Sequence, residues 1–368
     1  MPKLLKSLIS LVSKQYASIG GQAVIEGVMM RSPNAFVVAI RKTNGEIRLR
    51  KDQWFGLSQK FRLFKKPFFR GVIMLIEAMA NGIVALNYSA QLSLEEELKS
   101  RDKTSHKSKP ARKDKIDWTT FLTIIVSFVF GMVLFVLVPH ATTEGINQFF
   151  VFNWALDGFL FHLVDGGVKA CIFVIYIWLI GFIPEISRVF QYHGAEHKSI
   201  ATFEAGEELT VENASLHSTL HPRCGTSFIF FLLFISIILF SAIFSVIPIG
   251  QGLSKFPKHL VAILAKIVFM IPIASISYEI IKFAGKYPKN SVCRALSFPG
   301  MMLQRLTTKE PDTKQLEVAL SSIKAVLLLE EKYELKECKQ KVLTLEEVDL
   351  SSLNEIEKSN SSLKDFME

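Results

Sequence analysis

VKACIFVIYIWLIGFIPEISRVFQYHGAEHK, residues 168–198, runs from lipid-like sequence into ligand-type chemistry without a break. The part up to Pro184 is an apolar run approaching the ~20 residues that cross hydrocarbon. The part beyond it ends in His193-Gly194-Ala195-Glu196-His197. A second apolar run, Thr226–Ile249, follows. The histidines are therefore expected at a membrane surface, between two spans. The fold class that follows is a mainly α membrane protein, with about four transmembrane helices and cytoplasmic α+β flanking segments.

Four runs qualify as spans: Thr119–Pro139, Val168–Pro184, Thr226–Ile249 and Leu260–Phe283. Gly71–Leu92 is as apolar but holds Glu77, Asn81 and Asn87. A carboxylate in hydrocarbon is costly, so residues 71–94 are expected to be interfacial or re-entrant rather than a full crossing. Glu77, Asn81 and Asn87 fall at roughly helical spacing and suggest a polar groove or a solvated face. Residues 149–163 are aromatic and are expected on the surface. Lys/Arg counts orient the chain. Eight lie between Lys99 and Lys115, the loop 140–167 has none, and Lys282, Lys286, Lys289 and Arg294 follow the last span. Both termini and the histidine-bearing loop 185–225 are thus expected in the cytoplasm.

Composition agrees. The chain of 368 residues is 49% hydrophobic with 21% charged residues and a net charge of +9, and its mean hydropathy is +0.30. That is too apolar for an ordinary soluble protein and too charged for one that is membrane throughout. Basic residues crowd the first third, where they suit anionic lipid. No nucleic-acid motif is present, so nucleic acid is not expected as a partner; the bilayer is. Cys171, Cys224, Cys293 and Cys338 lack framework spacing and point to a reducing compartment.

Outside the spans, residues 1–18 read as an amphipathic segment. Residues 19–70 read as a small α+β module. It has an apolar stretch Ala23–Val28, then Phe36–Lys42 and Glu46–Arg50 around Thr43-Asn44-Gly45. Asn-Gly is the strongest short hairpin signal, because both residues tolerate φ > 0. Residues 95–116 read as a charged linker. Residues 285–340 carry an amphipathic cytoplasmic helix opened by Pro311-Asp312, with Leu316, Ala319, Leu320, Ile323, Val326 and Leu327 at spacings of three and four. Residues 341–368 form an acidic tail expected to be mobile.

The chemistry centres on two i, i+4 histidine pairs, His193/His197 and His217/His221, where chance gives about 0.2 such pairs in a chain of this composition. On a helix, His193 and His197 share one face and can fill adjacent corners of a metal's tetrahedron. Glu196 sits three residues from His193, suited to act as base toward water on the ion or to support a ligand. The order His-x-x-Glu-His is that of inverzincin proteases, which add a distant Glu; Glu279 is the counterpart here. His221-Pro222-Arg223-Cys224 adds a second donor pair, and Pro222 places it at a helix start rather than inside one. The expected site is a divalent metal, zinc above all, held by His193, His197, His221 and Cys224, with His217 as alternate ligand and Glu196 as the catalytic carboxylate. Glu185, Glu204 or Glu212 would serve a second metal. Lys198 and Arg223 would steady an anion. Four closed ligands would mean a structural ion, and an open position a catalytic one. Gly20–Gly27 lacks the residues of a phosphate-binding loop and reads as a turn into a strand.

Taken together, Gly20-Gly21-Gln22-Ala23-Val24-Ile25-Glu26-Gly27-Val28-Met29-Met30-Arg31, Phe69-Arg70-Gly71, the run Pro184–Lys198, Leu209-Thr210-Val211-Glu212-Asn213, His221–Phe228 and Gln304–Asp312 resemble the YqhQ-type integral membrane proteins of bacteria. The resemblance covers roughly residues 20–330. It implies a bacterial membrane protein of a family whose function is unknown and whose members are taken to be metal-dependent enzymes. It implies no substrate and no ligand set. The expectation is a metal-dependent hydrolase at the cytoplasmic membrane face, acting on a lipid or membrane-attached peptide. The alternatives are a scaffold clamped by a structural metal and, further off, a transporter or metal sensor. The expected spans are nearly bare of charge in their central parts, which counts against ion translocation.

Overall fold

The computed structural model describes residues 19–32, 35–53, 66, 69–101, 118–152, 154–155, 158–222, 224–247, 254–287, 290–334 and 346–358. The amphipathic segment 1–18 and most of the charged linker lie outside them.

The first strands form by the alternation that the sequence carries. Strands β1 (Gly20–Val24), β2 (Gly27–Arg31), β3 (Ala35–Arg41) and β4 (Ile47–Gln53) make an antiparallel meander. The Asn-Gly hairpin joins β3 to β4, with Gly45 at φ 92°. The stretch Ala23–Val28, expected as one strand, is two. It reverses at Ile25-Glu26, where Glu26 takes a left-handed conformation, φ 53°. Both faces of the sheet are covered. Met30, Val37, Ala39 and Leu49 face one core, and Met29, Phe36, Val38 and Ile40 the other.

Helix α1 (Phe69–Arg101) covers the second face with Ala85, Tyr88 and Leu92. It is a correction to the expected span count. The structure has five helices long and apolar enough to cross a membrane, and Phe69–Glu96 is the additional one. Two of the three polar residues that argued against it are turned inward. Glu77 and Asn81 are buried, with the Asn81 side chain donating to the Glu77 carbonyl at 2.7 Å. Asn87 points outward, so no continuous groove runs through the three.

The remaining candidates follow. Helix α2 (Trp118–Met132) continues through a π-helical turn at Val133–Leu137 into α3 (Val138–Phe149). Then come α4 (Phe159–Ile180), α7 (Gly225–Val246) and α8 (Lys255–Lys286). Helix α4 begins well before the expected Val168, so Asp165, expected in a loop, is inside it and buried. Of the aromatic stretch 149–163, residues 149–152 are exposed, as a surface position requires.

Two helices sit between sheet and bundle. Helix α5 (Pro184–Ala205) runs from the end of α4 across β1 and β2, and a short helix α6 (Val211–Ser215) follows. Helix α9 (Ser291–Thr307) leads to α10 (Thr313–Glu334). Asp312 caps α10: its carboxylate accepts from the Gln315 N–H at 2.7 Å, and Gln315 Oε1 accepts from the Asp312 N–H at 2.9 Å. Helix α10 buries the predicted face of Leu316, Ala319, Leu320, Ile323 and Val326. Lying between the sheet and α5, it also buries Val318, Ser321, Ser322 and Ala325.

The acidic tail is also ordered in part. Glu346–Leu350 forms β5 on the β4 edge, and Leu353–Lys358 forms α11. Its acids answer the basic β4: Arg48 holds Asp349 through two hydrogen bonds of 2.7 Å, and Lys42 joins at 3.1 Å.

Candidate metal centre

The Pro184 start and the Gly206 left-handed end define α5. They set His193, Glu196 and His197 on its third and fourth turns. Across from them, Cys224 is the N-cap of α7, its Sγ accepting from the Thr226 N–H at 3.4 Å. His193 Nε2 lies 3.2 Å from Cys224 Sγ, and the His193 and His197 rings are 4.4 Å apart. Donor atoms of His193, His197 and Cys224 all lie within 4.8 Å of one another.

Backbone carbonyls decide the tautomers. His193 Nδ1 is 2.9 Å from the Thr307 carbonyl, and His197 Nδ1 is 2.5 Å from the Thr219 carbonyl. A carbonyl can only accept, so each Nδ1 carries the hydrogen and each neutral ring presents Nε2 as a lone pair. Such outer contacts are what orient metal-ligating histidines. His197 Nε2 is buried with no partner. An orphaned acceptor beside a second imidazole and a thiol is the arrangement that a soft divalent cation satisfies.

Burial sets the electrostatics. It holds the His197 imidazole well below its ordinary pKa, with His193 adding to the shift. It raises the Cys224 thiol, against the hydrogen bonds from Thr226 and Ser227. It pushes Glu196 up to about 8, while His193 and the Gly21 N–H pull the other way. Glu196 fits there because β1 has no side chain at Gly21. A Cβ on that glycine would sit 2.9 Å from Glu196 Cγ and 2.7 Å from the Met29 carbonyl.

The other expected residues separate. His221 lies outside the three-donor group: its ring is 5.6 Å from that of His197, its Nε2 lies 3.4 Å from Glu204, and burial lowers its pKa to about 4. Its backbone is held by Gln304, which accepts from the His221 N–H and donates to its carbonyl, both at 2.8 Å. His217 is outside the group altogether, 2.8 Å from Glu207 at the surface. Glu279 is not a distant ligand; it forms a bidentate pair with Arg70. Lys198 is committed to the Ser215 carbonyl at 2.9 Å and to Glu310 at 2.5 Å. Arg223 lies outside the described residues. Glu185 and Glu212 open α5 and α6, and only Glu204 of the three reaches a histidine.

Sequence reasoning missed the strap that closes the site. Residues 307–310 cross α5, with the Lys309 N–H donating to the Phe190 carbonyl at 2.9 Å and the Lys309 carbonyl lying where a side chain on Gly194 would point. The gap between two histidines four apart, filled by glycine at 194, is the signal that could have found it. Also missed was the anchor of the sheet to α5, a bidentate pair between Arg188 and Glu26.

A sheet-capped helix carrying His-x-x-Glu-His against the cysteine that opens the next apolar helix defines the molecule as a membrane protein with a His/Cys donor cluster. The chain belongs to the family described as protein of unknown function (DUF1385), whose profile matches residues 66–329. It is similar to the uncharacterized protein YqhQ of Bacillus subtilis (strain 168), 34% identical over 318 residues, which cover 84% of this chain and 92% of that one. No solved structure matches.

Proposed function

We propose that this protein is a metal-dependent hydrolase of the cytoplasmic membrane face, with a divalent cation, zinc above all, held by His193, His197 and Cys224. One observation carries the reading: one ring nitrogen from each of His193 and His197 and the Cys224 Sγ converge within 4.8 Å, and both imidazoles have Nδ1 tied to a carbonyl. Nitrogen and sulfur donors suit zinc. With His221 drawn to Glu204, the set stops at three protein ligands, which supports a catalytic over a closed structural ion. An ion so held supplies Lewis acidity at its open position. Glu196, buried beside the donors, holds the proton that the reaction takes from water and returns it to the leaving group. Lys198 is tied to Ser215 and Glu310 and serves to pin the strap rather than to steady an anion. A lipid or a membrane-attached peptide is the substrate class that the position at the span ends favours.

The test is elemental analysis of the purified full chain. Wild type is expected to carry about one zinc per chain. His193→Ala with His197→Ala should carry none, and Glu196→Gln should keep the ion. Wild type purified without metal under chelator-free conditions, and unable to take zinc up, would end the reading.

Orientation belongs to the same proposal. Four helices are read as crossing, with α1 lying along the sheet and both termini in the cytoplasm of a bacterial inner membrane. The eight Lys/Arg from Lys99 to Lys115 support this, as does the packing of Ala85, Tyr88 and Leu92 beneath the sheet. An impermeant maleimide added to intact cells should miss Asn44→Cys and label Phe150→Cys. The opposite pattern would invert the orientation.

A further inference from the structure

The ends of α3, α4, α7 and α8 away from the histidine–cysteine group enclose a second polar cluster. Lys266 of α8 donates to Asp165 Oδ2 of α4 at 2.6 Å, and both side chains are buried. Lys169, one turn along α4, stands 4.0 Å from the same oxygen. His140 Nδ1 of α3 is 3.9 Å from Asp165 Oδ1. His162, 1% exposed, lies one turn before Asp165 and is held by its ring faces, 4.4 Å from Phe244 and 5.6 Å from Phe161. Neither of its nitrogens has a hydrogen-bond partner, and Thr143 Oγ1, one turn from His140, has none either.

Charge counting shows what is missing. Two ammonium groups share one carboxylate, and an imidazole is neutral or cationic, so neither histidine supplies a second negative charge. One positive charge is left over inside a segment apolar enough to cross the bilayer, where an unbalanced lysine is expensive. The unmade hydrogen bonds include donors, an imidazole N–H of His162 and the Thr143 O–H, beside a Lys169 ammonium that is 4.0 Å from its shared carboxylate oxygen. Asp165 Oδ1 is an acceptor also left without a hydrogen bond, on the side of the carboxylate away from the Oδ2 that Lys169 and Lys266 share. Asp165 lies six residues beyond Phe159 in α4, about 9 Å along the helix, which is deep for a lipid phosphate.

We propose that Lys169, Lys266, His162 and Thr143 form a binding site for one small monovalent anion, next to the Asp165–Lys266 pair at the bundle end opposite the metal centre. The anion makes the cluster neutral: it completes the donors that the protein leaves unanswered, and Asp165 keeps Lys266 in place. The site is independent of the zinc reading, since no residue is common to the two.

Chloride is the probe. The full chain in neutral detergent is melted across a chloride series, with gluconate holding ionic strength constant. The midpoint is expected to rise saturably, by roughly 5 °C at a hundred times the dissociation constant, and radiolabelled chloride should bind at about one per chain in equilibrium dialysis. Lys169→Met removes the surplus charge. It should melt at or above wild type in gluconate, lose the chloride shift and bind no label, with zinc content unchanged. His162→Phe and Thr143→Val, each keeping the fold's bulk, should weaken the shift without abolishing it. Equal midpoints in chloride and gluconate for wild type, or a full chloride shift in Lys169→Met, would overturn the proposal. An equal shift from phosphatidylglycerol added without chloride, absent with phosphatidylcholine, would overturn it in favour of a lipid phosphate.

Discussion

Two polar clusters sit on different helices, the first on α5 and the start of α7 and the second on α3, α4 and α8, and they were not equally visible. His193 and His197 are four residues apart on one helix, so local periodicity brings them together before any tertiary structure exists. Cys224 then needs only the turn that joins α5 to α7. Asp165, Lys266 and His140 come from three helices and are far apart in sequence. Each looks like an isolated polar residue near a span end, where snorkelling to the interface is the usual fate. Only packing shows that they face one another. The two clusters also differ in what they lack. The first leaves a lone pair without a cation, at His197 Nε2, and the second leaves His162 and Thr143 unanswered beside two lysines that share one carboxylate.

The sharpest way to break this contrast is to remove the carboxylate of the second cluster. Asp165→Ala leaves Lys266 and Lys169 in apolar surroundings with no counter-charge. Breaking a buried pair from one side costs about 3–5 kcal/mol, read as a fall in the thermal or denaturant midpoint of the detergent-solubilised chain. Lys169→Met in the same assay should cost little or nothing. If both substitutions cost the same, the surplus positive charge is not there.

Next in size are changes to the first cluster. Cys224→Ser replaces a soft donor by a hard one and should weaken zinc binding by at least about 100-fold, beyond the 10–100-fold typical of outer-shell changes. His217→Ala should leave metal content as in wild type, because His217 is engaged with Glu207 at the surface. A competitive chelator titration separates the two variants. Equal losses would return His217 to the ligand set. Gly194→Ala is smaller. Its Cβ meets the Lys309 carbonyl, so the strap must shift. Overpacking of this kind costs about 1–3 kcal/mol, and the displaced strap should show as earlier protease cleavage near Lys309.

What the sequence made legible follows the same division. The Asn-Gly hairpin, the four long apolar runs and the capped helix after Pro311 were readable, because each is set by neighbours within a few residues. Helix α1 was legible only in part: its apolar length shows in the sequence, whereas the burial of Glu77 against the protein is a tertiary fact. His221 stands outside the donor group for a related reason. Spacing puts it beside Cys224, yet Gln304, distant in sequence, fixes its backbone and Glu204 takes its ring. The break at Ile25-Glu26 gave no glycine signal. Glu26 holds its left-handed conformation while its carboxylate is gripped by Arg188.

The smallest expected effect concerns β5, which no local pattern announced. Its register along β4 is set by Leu350 and Val348 packing beside Ile47 and Leu49. Its charges add a pH dependence. Hydrogen bonds from Arg48, then Lys42, hold Asp349 at about 2, below the ~3.9 of an unfolded aspartate. A carboxylate that binds its proton less readily when folded stabilises the folded form fully above about pH 4, and that contribution fades as acid approaches 2. The pair is largely exposed, so screening keeps the effect small. Amide exchange in β5 should therefore quicken, relative to β2 and β3, between pH 5 and pH 2.5, and Asp349→Asn should show the faster rate already at pH 5. If β5 and β3 lose protection together over that range, apolar docking alone holds the edge strand, and the basic face of β4 does not select its acidic partner.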